Sequence, residues 1–328
     1  MLILAKAVLS MMIGFIIAGL FGYAVIPLLK KNVKQRVSTY LEKKHKAKDG
    51  TPTMGGIIFI IPTIIATIIL LLLGKIEMTH NLLIVIFVFI AYAVLGFIDD
   101  YLIIKRGNNI GLTEFQKLVG QIFIALIFFY VYMKSGADPS VDMHTFGIKI
   151  NMGWFYGIFI LFMLVASSNA VNITDGLDGL AGGLSLMAFL ALGLISWYSG
   201  YDGAEAIAIF CFILVGTLLG FLLFNTYPAK VFMGDTGSLS LGATLASVAL
   251  LTKHEITFIV IMGVFIFETL VCIIQTFSMI VFRRKVFLMT PFHHHLEKLG
   301  WEERDIVKFF WVIGLILSMG AIVFSVWI

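Results

Sequence analysis

The run Leu82-Leu-Ile-Val-Ile-Phe-Val-Phe-Ile-Ala-Tyr-Ala-Val-Leu-Gly-Phe-Ile98 ends in two adjacent acids, Asp99 and Asp100, followed by Tyr101. So long an apolar stretch reads as a membrane-spanning helix, since about 20 apolar residues are needed to cross the hydrocarbon core. Neighbouring carboxylates at its end repel each other and need a cation, a cage of hydrogen bonds or open water. A solvated helix end meets that need, and so does a divalent metal. The remaining polar segments bear on the choice.

Outward from this run the apolar pattern repeats. Of 328 residues, 60% are hydrophobic and 13% charged, which excludes a soluble globule, whose apolar share is nearer half. The expected fold is all-α: one polytopic integral membrane domain over 1–328 with about ten transmembrane helices. The spans fall near 7–29, 56–73, 81–98, 118–133, 154–171, 180–196, 204–224, 239–251, 256–282 and 306–328. The eighth is short, so it is expected to be tilted against partners or partly buried. The ninth is long, and is expected to bend or project. Cys211 and Cys272 lie inside apolar runs and read as small buried hydrophobes rather than a disulfide or zinc framework.

Orientation follows from lysine and arginine on alternate loops. Eighteen of the 23 fall on one side, among them Lys30, Lys31, Lys105, Arg106, Lys117 and Arg283 to Lys285; Lys6, Lys75, Lys134, Lys149 and Lys253 fall on the other. The first side is therefore cytoplasmic and both termini are extracytoplasmic. The cytoplasmic loops also carry nearly every polar cluster. Of the outer loops only 134–153 has character, with a small hairpin expected around Phe146-Gly-Ile-Lys-Ile150.

Three clusters suggest chemistry. In Asn169-Ala-Val-Asn172-Ile-Thr-Asp175-Gly-Leu-Asp178, amides and acids recur every three residues; they share a face if the helix continues and line a turn if Gly176 ends it. In Phe232-Met-Gly-Asp235-Thr-Gly-Ser238, Asp235 reads either as a helix cap or as a metal ligand. Against the capping reading stands number: Asp99, Asp100, Asp175, Asp178 and Asp235 are five acids expected on one face. Their hard oxygens suit magnesium, which takes one or two carboxylates and completes its sphere with water and substrate phosphate. A phosphate or diphosphate substrate is therefore expected. His293-His294-His295 cannot point one way on a helix, so the block is a poor zinc site and a better hydrogen-bonding patch. Lys48 and Lys117 are candidate phosphate partners. Glu268 and Gln275, seven apart in the ninth span, are expected to hydrogen-bond between helices.

Five motifs, Gly50-Thr-Pro-Thr-Met-Gly-Gly56, Asp99-Asp100-Tyr101, Asn172-Ile-Thr-Asp-Gly-Leu-Asp-Gly-Leu-Ala181, Phe232 to Ser238 and Met289-Thr-Pro-Phe-His-His-His-Leu-Glu297, stand in an order with a precedent. The chain resembles the polyprenyl-phosphate N-acetylhexosamine-1-phosphate transferases, nearest the branch using UDP-N-acetylmuramoyl-pentapeptide and undecaprenyl phosphate. The resemblance implies magnesium as cofactor, with Asp235 as a ligand and Asn172 as a second. It implies catalytic roles for Asp99, Asp100 and Asp235, and uridine-side contacts from Asp175, Asp178 and Phe232. By the same likeness His293, His294 and His295 contact the nucleotide-sugar and Lys48 contacts phosphate. A homodimer in the bilayer of the bacterial cell membrane is implied as well, and no nucleic-acid partner is expected. The competing reading is an ion-coupled transporter, which predicts acids near mid-bilayer and a repeated half-sequence; no repeat is visible.

Overall fold

The computed structural model describes residues 2–32, 50–106, 111–143, 147–201 and 203–327. Its elements are α1 (Leu2–Asn32), α2 (Ile57–Leu72), α3 (His80–Arg106), α4 (Glu114–Lys134), β1 (Ser140–Met143), β2 (Ile148–Asn151), α5 (Phe155–Thr174), α6 (Leu180–Tyr198), α7 (Ala204–Asn225), α8 (Gly234–Leu251), α9 (Glu255–Ile261), α10 (Gly263–Val281), α11 (Phe292–Lys298) and α12 (Glu303–Ile322). Eight of these helices, α1, α3 to α7, α10 and α12, are long and apolar enough to cross a membrane. The chain is thus a multi-pass membrane protein. The β-strands pair antiparallel, Val141 opposite Ile150, in the hairpin expected within 134–153.

Three expected spans take a different form. The second is the 16-residue α2, shorter than those eight. The eighth corresponds to α8, buried at every position from Thr236 to Leu251 and packed chiefly on α3 and α5. A helix sheathed in protein has no lipid thickness to match, which accounts for its short apolar run and bears out the expected burial. The ninth is broken: α9 stops at Ile261, Met262 leaves helical geometry at ψ 6°, and α10 starts at Gly263.

The sparse set of basic residues gathers at one end. Lys6 pairs with Glu205 at 2.5 Å, beside a cavity of about 500 Å³ that Lys75, Glu77 and Tyr201 also line. Lys149 holds the Asp138 carboxylate at 2.5 Å, while Lys253 donates to the carbonyls of Asp138 and Ser140 at 2.5 and 3.0 Å. Burial pushes the Lys253 ammonium pKa down, opposed by Glu255. These bonds tie the hairpin to the bundle, because a buried ammonium keeps its charge only where oxygens surround it.

At the opposite end α3 crosses α8 without any gap. A β-carbon on Gly96 would lie 2.1 Å from the Asp235 carbonyl oxygen and 2.6 Å from the Thr236 nitrogen. Close backbone approach of this kind is what a small residue allows in a membrane bundle. Gly96→Ala is expected to prise α3 from α8 at a cost of about 1–3 kcal/mol, the range for overpacking a fitted core. Thermal unfolding in detergent measures it; a melting temperature equal to the parent's would mean the crossing yields freely.

Candidate active site

The crossing of α3 and α8 brings the acids together, but gives each a separate task. Asp100 is 3% exposed. Its Oδ1 accepts from the Asp235 N–H at 3.2 Å, and its Oδ2 accepts from the Thr236 N–H at 2.9 Å and the Thr236 hydroxyl at 2.6 Å. The first amides of any helix lack intrahelical partners. At α8 the preceding residue, Met233, has no side-chain cap to offer, so a carboxylate from another helix supplies it. Asp99, one residue earlier, turns elsewhere. Its Oδ1 accepts from the Leu112 N–H at 2.7 Å, and its Oδ2 lies 3.4 Å from Lys117 Nζ.

Lys117 reaches this point because α4 starts at a defined residue. Thr113 accepts from the Gln116 N–H at 3.2 Å and Gln116 returns the bond at 3.0 Å, a reciprocal capping box that places Lys117 in the helix's first turns. Lys117 Nζ then meets Asp235 Oδ2 at 2.6 Å, while Asn172 Nδ2 donates to Asp235 Oδ1 at 2.7 Å and to the Ser238 hydroxyl at 2.9 Å. One ammonium thus serves two carboxylates. Residues from α3, α4, α5 and α8 converge within one hydrogen-bonded cluster, and Asp235 remains partly exposed, at 19% of its side chain.

The glycine-rich segment braces the same loop through its backbone. Gly55 N–H donates to the Phe232 carbonyl at 2.8 Å, Gly56 N–H to the Met233 carbonyl at 2.9 Å, and Phe232 N–H to the Pro52 carbonyl at 2.8 Å. Lys48, the expected phosphate contact before this segment, lies outside the described residues.

The amide-and-acid run ends its helix, as a break at Gly176 would require. α5 stops at Thr174, so Asn169 and Asn172 share a face, while Asp175 and Asp178 belong to the following turn. Asn169 exchanges amide hydrogen bonds with Gln121 at 3.0 and 3.3 Å. Asp178 is buried beneath the turn, its Oδ2 accepting from the Ala229 N–H at 2.9 Å and its own N–H donating to Glu303 at 2.8 Å. Asp175 and Phe232 stay half-buried.

The three histidines diverge. His293 is fully buried, His294 donates to or accepts from Glu297 at 2.6 Å, and His295 Nδ1 accepts from the Leu288 N–H at 3.1 Å. Glu268 and Gln275 hydrogen-bond from α10 as expected, though to a loop and a helix start rather than to a neighbouring span. Glu268 accepts from the Phe292 N–H at 2.6 Å, and Gln275 accepts from the N–H groups of Val286 and Phe287 at 3.0 Å each. Glu303 and the capping pair Thr113 and Gln116 escaped the reading of the sequence. Only the last has a local signature, Thr-Glu-Phe-Gln ahead of an apolar run.

Of the two residues expected to hold magnesium, Asp235 turns a carboxylate oxygen to the Lys117 ammonium and Asn172 turns its amide nitrogen to Asp235. The Asp235 carboxylate and the Asn172 amide are adjacent, and a half-turn of that amide would present its oxygen. The Lys117 ammonium already sits where oxygens of Asp99 and Asp235 converge. Among the described residues no three side chains of His, Cys, Asp or Glu gather around one point. An ion here would take one carboxylate and an amide, leaving most of its sphere to water and phosphate.

Fold and site define a multi-pass membrane protein with a polar cluster at the ends of apolar helices. The family model that matches, over residues 82–253, is glycosyl transferase family 4, and a phospho-N-acetylmuramoyl-pentapeptide-transferase signature matches residues 48–60. The phospho-N-acetylmuramoyl-pentapeptide-transferase of Geobacillus thermodenitrificans is 45% identical over 323 residues, 98% of either chain. That of Bacillus subtilis is 42% identical over 321 residues, covering 97% of this chain and 98% of the relative. The chain belongs to the phospho-N-acetylmuramoyl-pentapeptide-transferase family, and so to the multi-pass proteins of the bacterial cell membrane.

Proposed function

We propose that this protein transfers phospho-N-acetylmuramoyl-pentapeptide from UDP-N-acetylmuramoyl-pentapeptide to undecaprenyl phosphate, giving lipid I and UMP in the membrane step of peptidoglycan synthesis. The observation that carries the reading is the cluster of Asp99, Lys117, Asn172 and Asp235 at one end of a bundle of apolar helices. A lipid substrate accounts for a polar site at the ends of spans, and a nucleotide diphosphate accounts for the cation between acids. In the reaction an oxygen of the lipid phosphate bonds to the phosphorus bearing the sugar, and the bond to UMP breaks with its electron pair leaving on UMP. Lys117 neutralises phosphate charge, with Asp99 and Asp235 fixing its ammonium. Asp100 acts on the helix that carries Asp235, and Asp175 and Phe232 receive the uridine side. Magnesium, held by Asp235 and Asn172 when bound, supplies further neutralisation across the diphosphate.

The transporter reading gains no support. Asp99, Asp100 and Asp235 sit near helix ends, and Glu268, inside α10, is engaged by backbone amides. The deciding assay follows labelled UMP released from UDP-N-acetylmuramoyl-pentapeptide, expected only with undecaprenyl phosphate and magnesium present. Ion movement across vesicles without UMP release would replace the proposal with the transporter.

The basic excess supports a cytoplasmic site end with both termini outside, and the family resemblance supports a homodimer in the bilayer. In protein lacking Cys211 and Cys272, the exposed sites Lys285→Cys and Lys298→Cys are expected to react with an impermeant maleimide only from the cytoplasm. Lys75→Cys and Lys149→Cys are expected to react only from outside. The reverse pattern would invert the topology.

A further inference from the structure

A buried carboxylate in α10 joins two parts of the site that the cluster around Lys117 does not touch. Glu268 is 0% exposed. Its oxygens accept from the N–H groups of Phe292 at 2.6 Å and His293 at 3.2 Å, the start of α11, and Oε2 lies 3.4 Å from His293 Nδ1. That last distance suits an ion pair, but its alignment makes no hydrogen bond, and both ring nitrogens of His293 are buried without a hydrogen-bond partner. Polar atoms so placed are rare in folded proteins and call for a reason. Burial also pushes the His293 imidazole pKa down, with Glu268 opposing.

The ring's other side supplies the reason. His293 Nε2 would stand 2.3 Å from a β-carbon on Gly176, so the imidazole presses directly under the backbone of the turn. Gly176 itself is exposed, between Asp175 and the start of α6. A line of contact therefore runs from Glu268 through His293 to the turn that carries Asp175. The Nδ1 edge looks onto the Glu268 carboxylate, which holds the residue through the backbone N–H of His293, and the Nε2 edge faces a segment without a side chain.

We propose that Glu268 is a positioning residue for the nucleotide: by seating His293 under Gly176 it sets the Asp175 turn at the height a uridine diphosphate needs. This rests on the transferase reading above. Neither Glu268 nor His293 touches the Lys117 cluster, to which the transferase reading gives the phosphate chemistry, so the effect is expected on the nucleotide substrate alone.

The test is Glu268→Gln, with UMP as the binding probe and KM measured for each substrate. A neutral amide keeps one acceptor oxygen but loses the carboxylate charge that strengthens the hydrogen bonds from the Phe292 and His293 N–H groups. UMP affinity is expected to fall by about tenfold, as loss of one charge-assisted hydrogen bond gives, and KM for UDP-N-acetylmuramoyl-pentapeptide to rise alike. KM for undecaprenyl phosphate is expected to stay within about twofold, a change below half a kcal/mol. Gly176→Ala, which wedges ring and turn apart while leaving the bonds of Glu268 intact, is expected to reproduce the pattern and decides the matter if Glu268→Gln does not fold. Unchanged UMP affinity in the folded variants, or equal loss toward both substrates, would overturn the proposal. Parent protein that neither binds UMP nor releases it would instead remove the transferase reading.

Discussion

Asp235→Asn is expected to lower turnover by two to three orders of magnitude, about the loss seen when one preorganised charge-stabilising group is removed from an active site. The reason lies in what the carboxylate holds. Asp235 Oδ2 meets Lys117 at 2.6 Å and Oδ1 meets Asn172 at 2.7 Å. The asparagine amide matches the shape but carries no charge, so Lys117 would keep only the longer contact to Asp99 at 3.4 Å. It would also present a far weaker donor to magnesium than a carboxylate does. Stability is expected to change little, because Asp235 caps α8 neither with its own side chain nor as the residue before the first turn; Asp100 does the capping. The measurements are turnover across a magnesium titration and the melting temperature in detergent. Parent-like activity at limiting magnesium would reduce Asp235 to an ordinary first-turn acid of α8.

That division of labour explains what the sequence disclosed and what it kept back. Adjacent helical residues point about 100° apart, so Asp99 and Asp100 could not serve one point once both lay in α3. Reading them as a pair overlooked this. Their partners were beyond reach, since the contacts of Asp100 with Thr236 span 136 positions and no local pattern records such a crossing. Spans were legible because apolar runs are local, whereas the burial of α8 depends on which helices surround it. The divergence of the three histidines followed from helical geometry alone, but the seat of His293 under Gly176 did not. Lys117 is legible as a phosphate partner only because it follows the acid pair. Its position between two acids depends on α4 starting at Thr113, a start that the Thr113 and Gln116 pair marks.

The same geometry separates two ways of making the bond. In a covalent route one acid of the pair attacks phosphorus, captures the phospho-sugar and yields it to lipid phosphate. Such a nucleophile needs a free oxygen facing substrate. Asp100 has both oxygens engaged by α8 and is 3% exposed, and Asp99, equally buried, gives one oxygen to the Leu112 N–H and the other to Lys117. The lipid phosphate is better prepared. With a second pKa near 6 it is largely dianionic at neutral pH and needs no strong base. What it lacks is relief from repulsion by a second anion, which positioning and positive charge provide. Direct attack therefore makes release of UMP conditional on the lipid. Delipidated protein is expected to exchange labelled UMP into UDP-N-acetylmuramoyl-pentapeptide at no more than background, with exchange restored by undecaprenyl phosphate. A covalent route predicts full exchange without lipid. Robust exchange in the delipidated protein, or a phospho-sugar adduct mapped to Asp99 or Asp100, would show that one of these carboxylates leaves its hydrogen bonds to attack, and direct displacement would be abandoned.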